Sequence, residues 1–478
     1  MKLESFAGNL QAGPHATRPT APRRGELVLI ILVAIMAGVS ALLHPTAYSV
    51  LLVLGIGAAM AFLVACFRNP LLALYAALIL TLLPDGLLPE TAQSILNRTL
   101  TLTAAMTWAF GVIRHKPRFI WPVASTYLLS FLLWASVTLF WAGDPETGAT
   151  KIVAYAMRFV LFLIVLPNLV RTQRELDGMM KALAYCGWAL VSTAIARVLL
   201  VGYVPGTRLA LFGVNANDLG LALTVLSTGV LWQALKPTQA HRIPRILSAV
   251  LFVPATVTLI GMTGSRGSVI SLLVALAALL LWKPTRRWGT LGLSLVVLVV
   301  LFFPSIYSAT LARFSGTSGD TTLLGGREVL WQQGWELITE HPLVGIGVGN
   351  SPFEMKRELT GGGDGIPIHN PVLVIWSETG IVGLALYLGV LTSAALSFCR
   401  CWRNHQATGV TWLRPYFYLV ASVMLGYLAS WIKGGGAETA HAYFLMLSLL
   451  LVPSGLDKGV ERGADVDSEQ APPLSTPS

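Results

Sequence analysis

Charged residues are scarce in this chain of 478 residues, of which 12% are charged and 54% are hydrophobic. Soluble globular domains carry about 25% charged residues. Apolar runs of roughly 18 residues or more recur along the chain, and each can cross about 30 Å of hydrocarbon. The lack of charge therefore excludes a soluble enzyme and predicts an all-α polytopic membrane protein.

Cysteine is also scarce, and none of its positions has the spacing of a zinc site. The sequence contains no His-Glu-x-x-His or Asp-x-Asp pair and no glycine-rich nucleotide loop of the Walker type. We therefore expect no metal, no cofactor and no direct use of ATP or a nucleotide sugar. The four cysteines lie in or beside apolar runs, as packing residues do: Cys66, Cys186, Cys399 and Cys401.

The net charge of +10 does not indicate a nucleic-acid partner, because the basic residues sit in short clusters between apolar runs. Every second loop carries such a cluster, whereas the loops 89–97, 142–150 and 202–208 are nearly free of them. The positive-inside rule then predicts that both termini and the basic loops lie in the cytoplasm. Because the alternation keeps its phase along the chain, it favours an even number of spans.

Apolar runs predict about 12–14 transmembrane helices. The candidate spans are 27–43, 47–66, 70–88, 98–114, 121–141, 151–170, 179–201, 209–235, 245–263, 267–283, 289–307, 371–399, 413–432 and 437–453. The chain then divides into a disordered cytoplasmic N-terminus (1–26), a helix bundle (27–307), a large loop on the periplasmic side (308–370), C-terminal transmembrane helices (371–453) and a disordered cytoplasmic tail (454–478).

The large loop is polar and rich in glycine, and part of it has helical periodicity. Apolar residues and glycine at helical spacing predict a helix from Arg327 to His341, and Pro342 follows its end. The segment 345–350, with glycine at alternate positions, predicts a tight and bendable backbone.

Arginines outside the inner loops are candidates for binding, because ionisable groups at or near membrane depth are costly. A guanidinium binds phosphate oxygens bidentately, and glycines around Arg266 allow an anion to approach the backbone and the following helix start. Snorkelling to the headgroups is the alternative for each arginine, and Arg158 could also form a buried pair. These arginines are Arg158, Arg208, Arg266 and Arg327.

His369 lies at the junction of the large loop and the next span. A neutral imidazole there can take a proton from a hydroxyl group at near-neutral pH. Asn370 could orient the imidazole or a sugar, and Glu378 could pair with an arginine or face the bundle interior. A lone histidine is more often structural, so the residues alone leave both interpretations open.

Four short motifs, in this order, resemble those of the O-antigen ligase and polymerase superfamily of Gram-negative inner membranes. The first is a span start containing Asn217, and the second is Ser265-Arg266-Gly267. The third runs from Arg327-Glu328-x-Leu330-Trp331 to His341-Pro342-Leu343-x-Gly345-x-Gly347-x-Gly349-Asn350. The fourth is His369-Asn370 followed by Glu378-Thr379-Gly380-Ile381-x-Gly383.

The resemblance implies a fold like that of the GT-C membrane glycosyltransferases, with an active site facing the periplasm. It implies transfer of a glycan from undecaprenyl pyrophosphate to a sugar hydroxyl of lipid A–core, which completes lipopolysaccharide. It also implies that Arg266 and Arg327 hold the pyrophosphate and that His369 is the general base of an inverting, metal-independent reaction. Arg158, Arg208, Asn217, Asn370 and Glu378 are then possible residues of the substrate pocket.

The motifs leave the acceptor open. A polymerase would extend one lipid-linked chain with another, and a protein O-oligosaccharyltransferase would use a Ser or Thr hydroxyl with the same donor. A transporter of lipid-linked glycans is disfavoured, because transport sites lie near the midplane, whereas His369 and Arg327 belong to the large loop.

Overall fold

The computed structural model describes residues 47–82, 90–211, 215–237, 241–315, 327–359, 367–407, 411–431 and 441–469. The predicted span 27–43 and the segment 1–26 lie outside the described residues. Residues up to Asn69 and residues from Pro70 onward form two compact units. Helix α1 (Ala47–Arg68) belongs to the first unit, and every other helix belongs to the second.

The regular structure of the described residues is α-helical, which confirms the predicted fold class. The second unit begins with α2 (Pro70–Leu82), α3 (Glu90–His115), α4 (Val123–Thr138), α5 (Pro145–Leu169), α6 (Gln173–Val201), α7 (Ala216–Leu235) and α8 (Arg242–Met262). It continues with α9 (Arg266–Leu279), α10 (Lys283–Phe302), α11 (Pro304–Phe314), α12 (Arg327–Glu340), α13 (Ser351–Leu359), α14 (Pro371–Ala407), α15 (Arg414–Ser430) and α16 (His441–Glu469).

Seven helices among the described residues are long and apolar enough to cross a membrane, and four shorter helices are also apolar. The long ones are α4 with the turn that follows it, α5, α6, α7, α8, α10 and α14. The apolar parts of α1, α2, α9 and α16 are the shorter ones. Helices α3 and α15 correspond to two further predicted spans. Every predicted span except 27–43 therefore corresponds to a helix in the structure.

Some boundaries differ from the predicted ones. The helix of the span predicted at 209–235 begins only at Ala216. Residues 209–211 are not helical, and Leu209 N donates to the Met262 carbonyl at 2.8 Å. The span predicted at 289–307 ends at Phe302, and Pro304 starts the short helix α11. The predicted loop helix is confirmed over Arg327–Glu340.

Two further features of the described chain differ from the sequence prediction. Helix α13 (Ser351–Leu359) forms inside the predicted large loop. Helix α16 continues to Glu469, whereas the last span was predicted to end at position 453 and the segment 454–478 to be a disordered tail. Both stretches are polar, so the apolar runs that predict spans gave no signal for them.

Antiparallel turns between consecutive helices place the candidate residues other than Arg158 near one end of the bundle. Helices α5, α7, α9 and α14 all start at this end, which we call the arginine end. Each start is capped by a side-chain oxygen that accepts a backbone N–H at 3.0 to 3.2 Å, and the four caps are Asp144, Asn215, Ser265 and Asn370. Such caps satisfy donors that a helix start leaves without intrahelical partners.

Close packing of small residues holds the helices together. Gly229 of α7 faces the backbone of α6, and a Cβ atom at Gly229 would lie 2.6 Å from Ala184 N. Helix α15 packs in the same way on α9, where Gly426 meets Ala275. Small residues at helix crossings let backbones approach in membranes, where the hydrophobic effect does not drive association between helices.

Candidate functional site

The turn between α8 and α9 positions Arg266. Gly264 adopts a left-handed backbone with φ of +61°, which glycine tolerates without steric cost. Ser265 caps α9 by accepting Ser268 N at 3.2 Å, so Arg266 becomes the first residue of the helix. Its side chain is buried, with 6% exposure, and it does not extend into solvent as a snorkelling arginine would.

Arg208 and Asn217 meet beside this turn. The Arg208 Nε donates to the Thr263 carbonyl at 3.1 Å, and its Nη2 donates to Asn217 Oδ1 at 2.8 Å. Ser268 Oγ donates to the Asn217 carbonyl at 2.9 Å, which ties the start of α7 to the start of α9. The structure therefore brings together Arg208, Asn217 and Arg266, and a shared substrate pocket stays a prediction.

Arg313, near the end of α11, completes this group and was missed by the sequence analysis. Arg266 Nη1 donates to the Arg313 carbonyl at 2.7 Å, and Arg313 Nη1 donates to the Gly264 carbonyl at 3.5 Å. We call Arg208, Arg266 and Arg313 the arginine cluster. Backbone carbonyls fix the orientation of all three guanidinium groups beside the N-terminus of α9, an arrangement suited to phosphate oxygens.

Helix α12 begins at Arg327 and packs against the chain just before α14. Gly334 lies against Ile368, because a Cβ atom there would be 3.1 Å from two Ile368 side-chain carbons. Ile368 is fully buried in a small core with Leu337, Met355 and Val374. This core anchors the residue that immediately precedes His369.

His369 itself has three unusual features. Its backbone is left-handed with φ of 59°, a conformation uncommon for residues other than glycine. Its Nδ1 atom is buried and has no hydrogen-bond partner within the described ranges. Its pKa is lowered from the ordinary value of 6.5, first by burial and second by the positive charge of Arg327. The imidazole is therefore neutral at physiological pH and has a nitrogen enclosed without a partner, which is rare in folded proteins.

Asn370 follows His369 and caps the next helix. Its Oδ1 accepts Val372 N at 3.0 Å and Leu373 N at 3.3 Å, so it caps α14 ahead of Pro371. The side-chain oxygen is engaged in this cap. A direct contact of Asn370 with substrate stays a prediction.

Glu378 is fully buried and pairs with a lysine, rather than with the arginine that the sequence analysis considered. Lys151 Nζ lies 2.9 Å from Glu378 Oε2 and 3.1 Å from Oε1. The carboxylate also accepts Gly349 N at 2.8 Å and Ser351 Oγ at 2.7 Å. The charge of Glu378 is thus compensated and hydrogen-bonded, which a buried carboxylate requires.

The glycine-rich segment 345–350 wraps around the backbone of Glu378. Gly347 N donates to the Glu378 carbonyl at 2.9 Å, and Ile346 N donates to the Ser377 carbonyl at 2.9 Å. Helix α14 is interrupted two residues later at Gly380, whose φ is 66° and ψ is −174°. The glycines allow this close backbone contact, because a side chain at Gly345 would overlap the Glu378 backbone. The contact gives the glycines a structural role that does not depend on substrate.

The same segment joins the loop to α4 and α5. Trp141 Nε1 donates to the Gly345 carbonyl at 3.0 Å, and Asn350 Oδ1 accepts Asp144 N at 2.6 Å. The starts of α5 and α14 are therefore linked through residues 345–350. This linkage places Asn370 and His369 at the arginine end of the bundle.

Arg158 lies farther along α5, directly before a π-helical stretch at Phe159–Val165. Its Nε donates to His441 Nδ1 at 3.4 Å, so it forms the buried pair that the sequence analysis weighed against snorkelling. Lys151, Tyr155 and Arg158 share one face of α5 at helical spacing. None of the contacts described here joins Arg158 to the arginine cluster, and its role in a substrate pocket stays a prediction.

The described contacts thus form four groups: the arginine cluster with Asn217, Arg327 with His369, Lys151 with Glu378, and Arg158 with His441. Sequence reasoning missed Arg313 and Lys151. Lys151 gave a usable signal, since it is a lysine at the start of an apolar run on a side whose loops are poor in basic residues.

Comparison with known proteins bears on the part of the chain that holds most of these groups. Over 290 residues the chain is 26% identical to the exopolysaccharide production protein ExoQ of Rhizobium meliloti (strain 1021). The aligned region makes up 56% of this chain and 64% of that protein, so the chain spans less than two thirds of the length of this relative. A family model described as O-antigen ligase matches residues 247–388, a segment that contains Arg266, Arg313, Arg327, His369 and Glu378. Residues 247–388 therefore carry the sequence by which the O-antigen ligase family is recognised, which confirms the resemblance inferred from the motifs.

Proposed function

We propose that this chain is a glycosyltransferase that moves O-antigen polysaccharide en bloc from undecaprenyl pyrophosphate to a sugar hydroxyl of lipid A–core. The observation that carries the proposal is the neutral His369 imidazole, with a buried and unpartnered nitrogen in the described structure, inside the segment matched by the O-antigen ligase family. A substrate hydroxyl would supply the hydrogen bond that Nδ1 lacks. The family match supports transfer of the ligase or polymerase kind.

In this proposal His369 accepts the proton of the acceptor hydroxyl as its oxygen attacks the anomeric carbon. The attack comes from the face opposite the pyrophosphate, so the carbon–pyrophosphate bond breaks with inversion and the pyrophosphate leaves on its lipid. The lowered pKa of His369 keeps the base unprotonated at neutral pH, which is the state the step needs.

Arg266 and Arg327 stabilise the negative charge that grows on the departing pyrophosphate. The burial of Arg266 and its hydrogen bond to the Arg313 carbonyl support this role, because an oriented charge needs little reorganisation during the reaction. The donor bond supplies the energy of transfer, so the proposal needs neither a metal nor ATP. Arg208 and Asn217 lie beside Arg266 and would contact the same donor.

The proposed location is the inner membrane of a Gram-negative bacterium, with both termini in the cytoplasm and the arginine end facing the periplasm. The alternation of basic loops supports this orientation. A reporter fused at position 340 should then give a periplasmic signal, and a cytoplasmic signal would invert the topology.

Reconstituted transfer tests the function directly. Purified protein would be mixed with undecaprenyl-pyrophosphate-linked O-antigen and with lipid A–core, and the glycosylated product would be separated by size. We expect product with the wild type and a loss of about 10²-fold or more with His369→Ala, since a positioned base contributes about 10²–10⁴-fold. The matched control is His341→Ala, because His341 is an exposed histidine at the end of α12.

Activity of His369→Ala close to that of wild type would remove the base role. If neither the wild type nor a variant forms glycosylated lipid A–core, the chain is not a ligase. Donor binding, measured with the same labelled donor, separates a lost chemical step from a misfolded protein.

A polymerase is the second candidate, because the curated relative is described as a protein of exopolysaccharide production. Such an enzyme would add one lipid-linked glycan to another and would need no lipid A–core. Longer lipid-linked chains formed without lipid A–core would favour this candidate over the ligase, and the same His369→Ala variant would again test the base.

A further inference from the structure

A cleft opens at the end of the bundle opposite to the arginine cluster. Its cavity volume is about 560 Å³, and it lies between the end of α7, the start of α8 and the start of α10. Because α7 spans 20 residues, this cleft lies about 30 Å from Asn217 along the helix axis. It is therefore a site separate from the proposed active site.

Basic side chains line one side of the cleft. Lys236, Arg242 and Arg287 all border it. Lys236 lies 3.2 Å from the Asp177 carboxylate, and within the described part of the chain no ion pair or hydrogen bond engages the side chains of Arg242 and Arg287. The described residues that line the cleft include these three cations and no carboxylate, so the cleft has an excess of positive charge.

The surroundings of Lys236 are consistent with that excess. Its pKa is lowered, first by burial and also by the charges of Lys181 and Arg245, although Asp177 acts in the opposite direction. An ammonium group in this position gains from a second anion. The starts of α8 and α10 have no acidic residue in their first turns that could serve as one.

The opposite side of the cleft is apolar and continues onto the outer surface of the bundle. Ile246, Val250 and Leu291 line it. Val250 is 41% exposed, and Leu247, one turn away on α8, is 54% exposed. Exposed apolar side chains on a membrane helix face lipid tails, so the cleft joins a cationic pocket to a lipid-facing surface.

We propose that this cleft binds an anionic phospholipid, whose phosphate lies among Lys236, Arg242 and Arg287 and whose acyl chains lie along the apolar surface of α8. A soluble phosphate would use the cations but would leave the apolar wall unexplained. A neutral lipid would use the apolar wall but would leave the cations uncompensated. Basic pockets between helices on the cytoplasmic side are suited to such headgroups, and the predicted topology puts this end of the bundle there.

Lipid retention by the full-length protein tests the site. The protein would be purified in neutral detergent, reconstituted in phosphatidylcholine nanodiscs with and without phosphatidylglycerol, and examined by native mass spectrometry and thermal unfolding. We expect the wild type to retain phosphatidylglycerol selectively and to unfold at a higher temperature when it is present. The double variant Arg242→Gln/Arg287→Gln should bind this lipid about tenfold more weakly, because each basic residue near an anionic headgroup contributes a modest electrostatic gain.

The matched control is Arg400→Gln/Arg403→Gln, which removes the same charge from two exposed arginines at the end of α14, outside the cleft. An equal loss of lipid in both double variants would overturn the site, as would unchanged retention in Arg242→Gln/Arg287→Gln. Inorganic phosphate is the second arm, and a rise in unfolding temperature equal to that with phosphatidylglycerol would overturn the lipid as its ligand. A photoreactive phosphatidylglycerol should crosslink to wild-type peptides spanning 234–250 or 284–291, and crosslinks confined to other helices would also overturn the proposal.

Discussion

The ammonium of Lys151 lies 2.9 Å from the carboxylate of Glu378, and the Glu378 side chain is fully buried. These two residues are far apart in sequence, at the starts of α5 and α14. Their pair also holds the glycine-rich loop, since Gly349 N and Ser351 Oγ donate to the same carboxylate. Replacing Glu378 therefore removes an ion pair and two hydrogen bonds to the loop at once.

Glu378→Ala should destabilise the protein by about 3–5 kcal/mol, because it removes a buried carboxylate that pairs with Lys151 and accepts hydrogen bonds from Gly349 N and Ser351 Oγ. Thermal unfolding of the reconstituted protein measures the loss. The exposed Glu340→Ala serves as the control and should change stability little. The double variant Lys151→Met/Glu378→Gln should recover part of the loss, and if it is no more stable than Glu378→Ala, the pair is not the cause.

The pH dependence of transfer reports on His369. Its lowered pKa predicts that activity stays constant through neutral pH and falls only on the acid side of the ordinary histidine value. Arg327→Gln removes a positive charge that disfavours protonation, so the pKa of His369 should rise and the acid limb should move to higher pH. Because burial is the larger cause of the shift, the limb should still lie below about 6.5.

The measurement is the pH profile of kcat/KM for wild type and Arg327→Gln. The two profiles are compared by the pH at which activity falls on the acid side, and not by their absolute activity. Arg174→Gln, an exposed arginine at the start of α6, is the control for loss of one charge. An acid limb that moves to lower pH, or does not move, would contradict the electrostatic link between Arg327 and His369.

Arg266→Lys tests whether the geometry of the guanidinium matters beyond its charge. Arg266 Nη1 already donates to the Arg313 carbonyl at 2.7 Å, and a lysine ammonium cannot keep that bond and also present a planar pair of donors to pyrophosphate. We expect the KM for donor to rise by roughly ten- to a hundredfold, since a hydrogen bond to a charged group contributes about 1.5–3 kcal/mol.

Arg197→Lys is the matched control, because Arg197 also lies at the arginine end and donates to a backbone carbonyl, that of Gly202, at 3.4 Å. It should leave the KM for donor unchanged. Wild-type kinetics in Arg266→Lys would show that bidentate binding at Arg266 is not required.

Local pattern was enough to predict most of the helices, and for a physical reason. A membrane helix satisfies its own backbone and needs a long apolar run, so length and hydropathy alone identify it. The loop helix from Arg327 was also predictable, because Leu330, Gly334 and Ile338 fall on one face at helical spacing. In the structure this face packs on Ile368 through Gly334. The capping serine before Arg266 follows from the same local chemistry.

Partners across the bundle were not predictable from one sequence. Lys151 and Glu378 meet because α5 and α14 start at the same end, and no local spacing records that fact. Arg313 joins the arginine cluster through two hydrogen bonds that involve backbone carbonyls, its own and that of Gly264, and a backbone carbonyl gives no signal in the sequence. Helix α13 was missed because it is short and polar on average, so hydropathy does not distinguish it from a loop.

Asn370 separates a structural role from a role in binding substrate. Its Oδ1 accepts two backbone N–H groups at the start of α14, so Asn370→Ala should cost about 1 kcal/mol of stability through the lost cap. Asn370→Ser keeps an uncharged acceptor that can cap the helix and should retain both the stability and the backbone of His369. If Asn370 serves only as the cap, transfer by Asn370→Ser should match wild type, whereas Asn370→Ala should lose activity in proportion to its loss of stability. A variant Asn370→Ser that is as stable as wild type but inactive would instead mean that the amide group of Asn370 contacts the substrate, because the serine keeps the cap but lacks the amide.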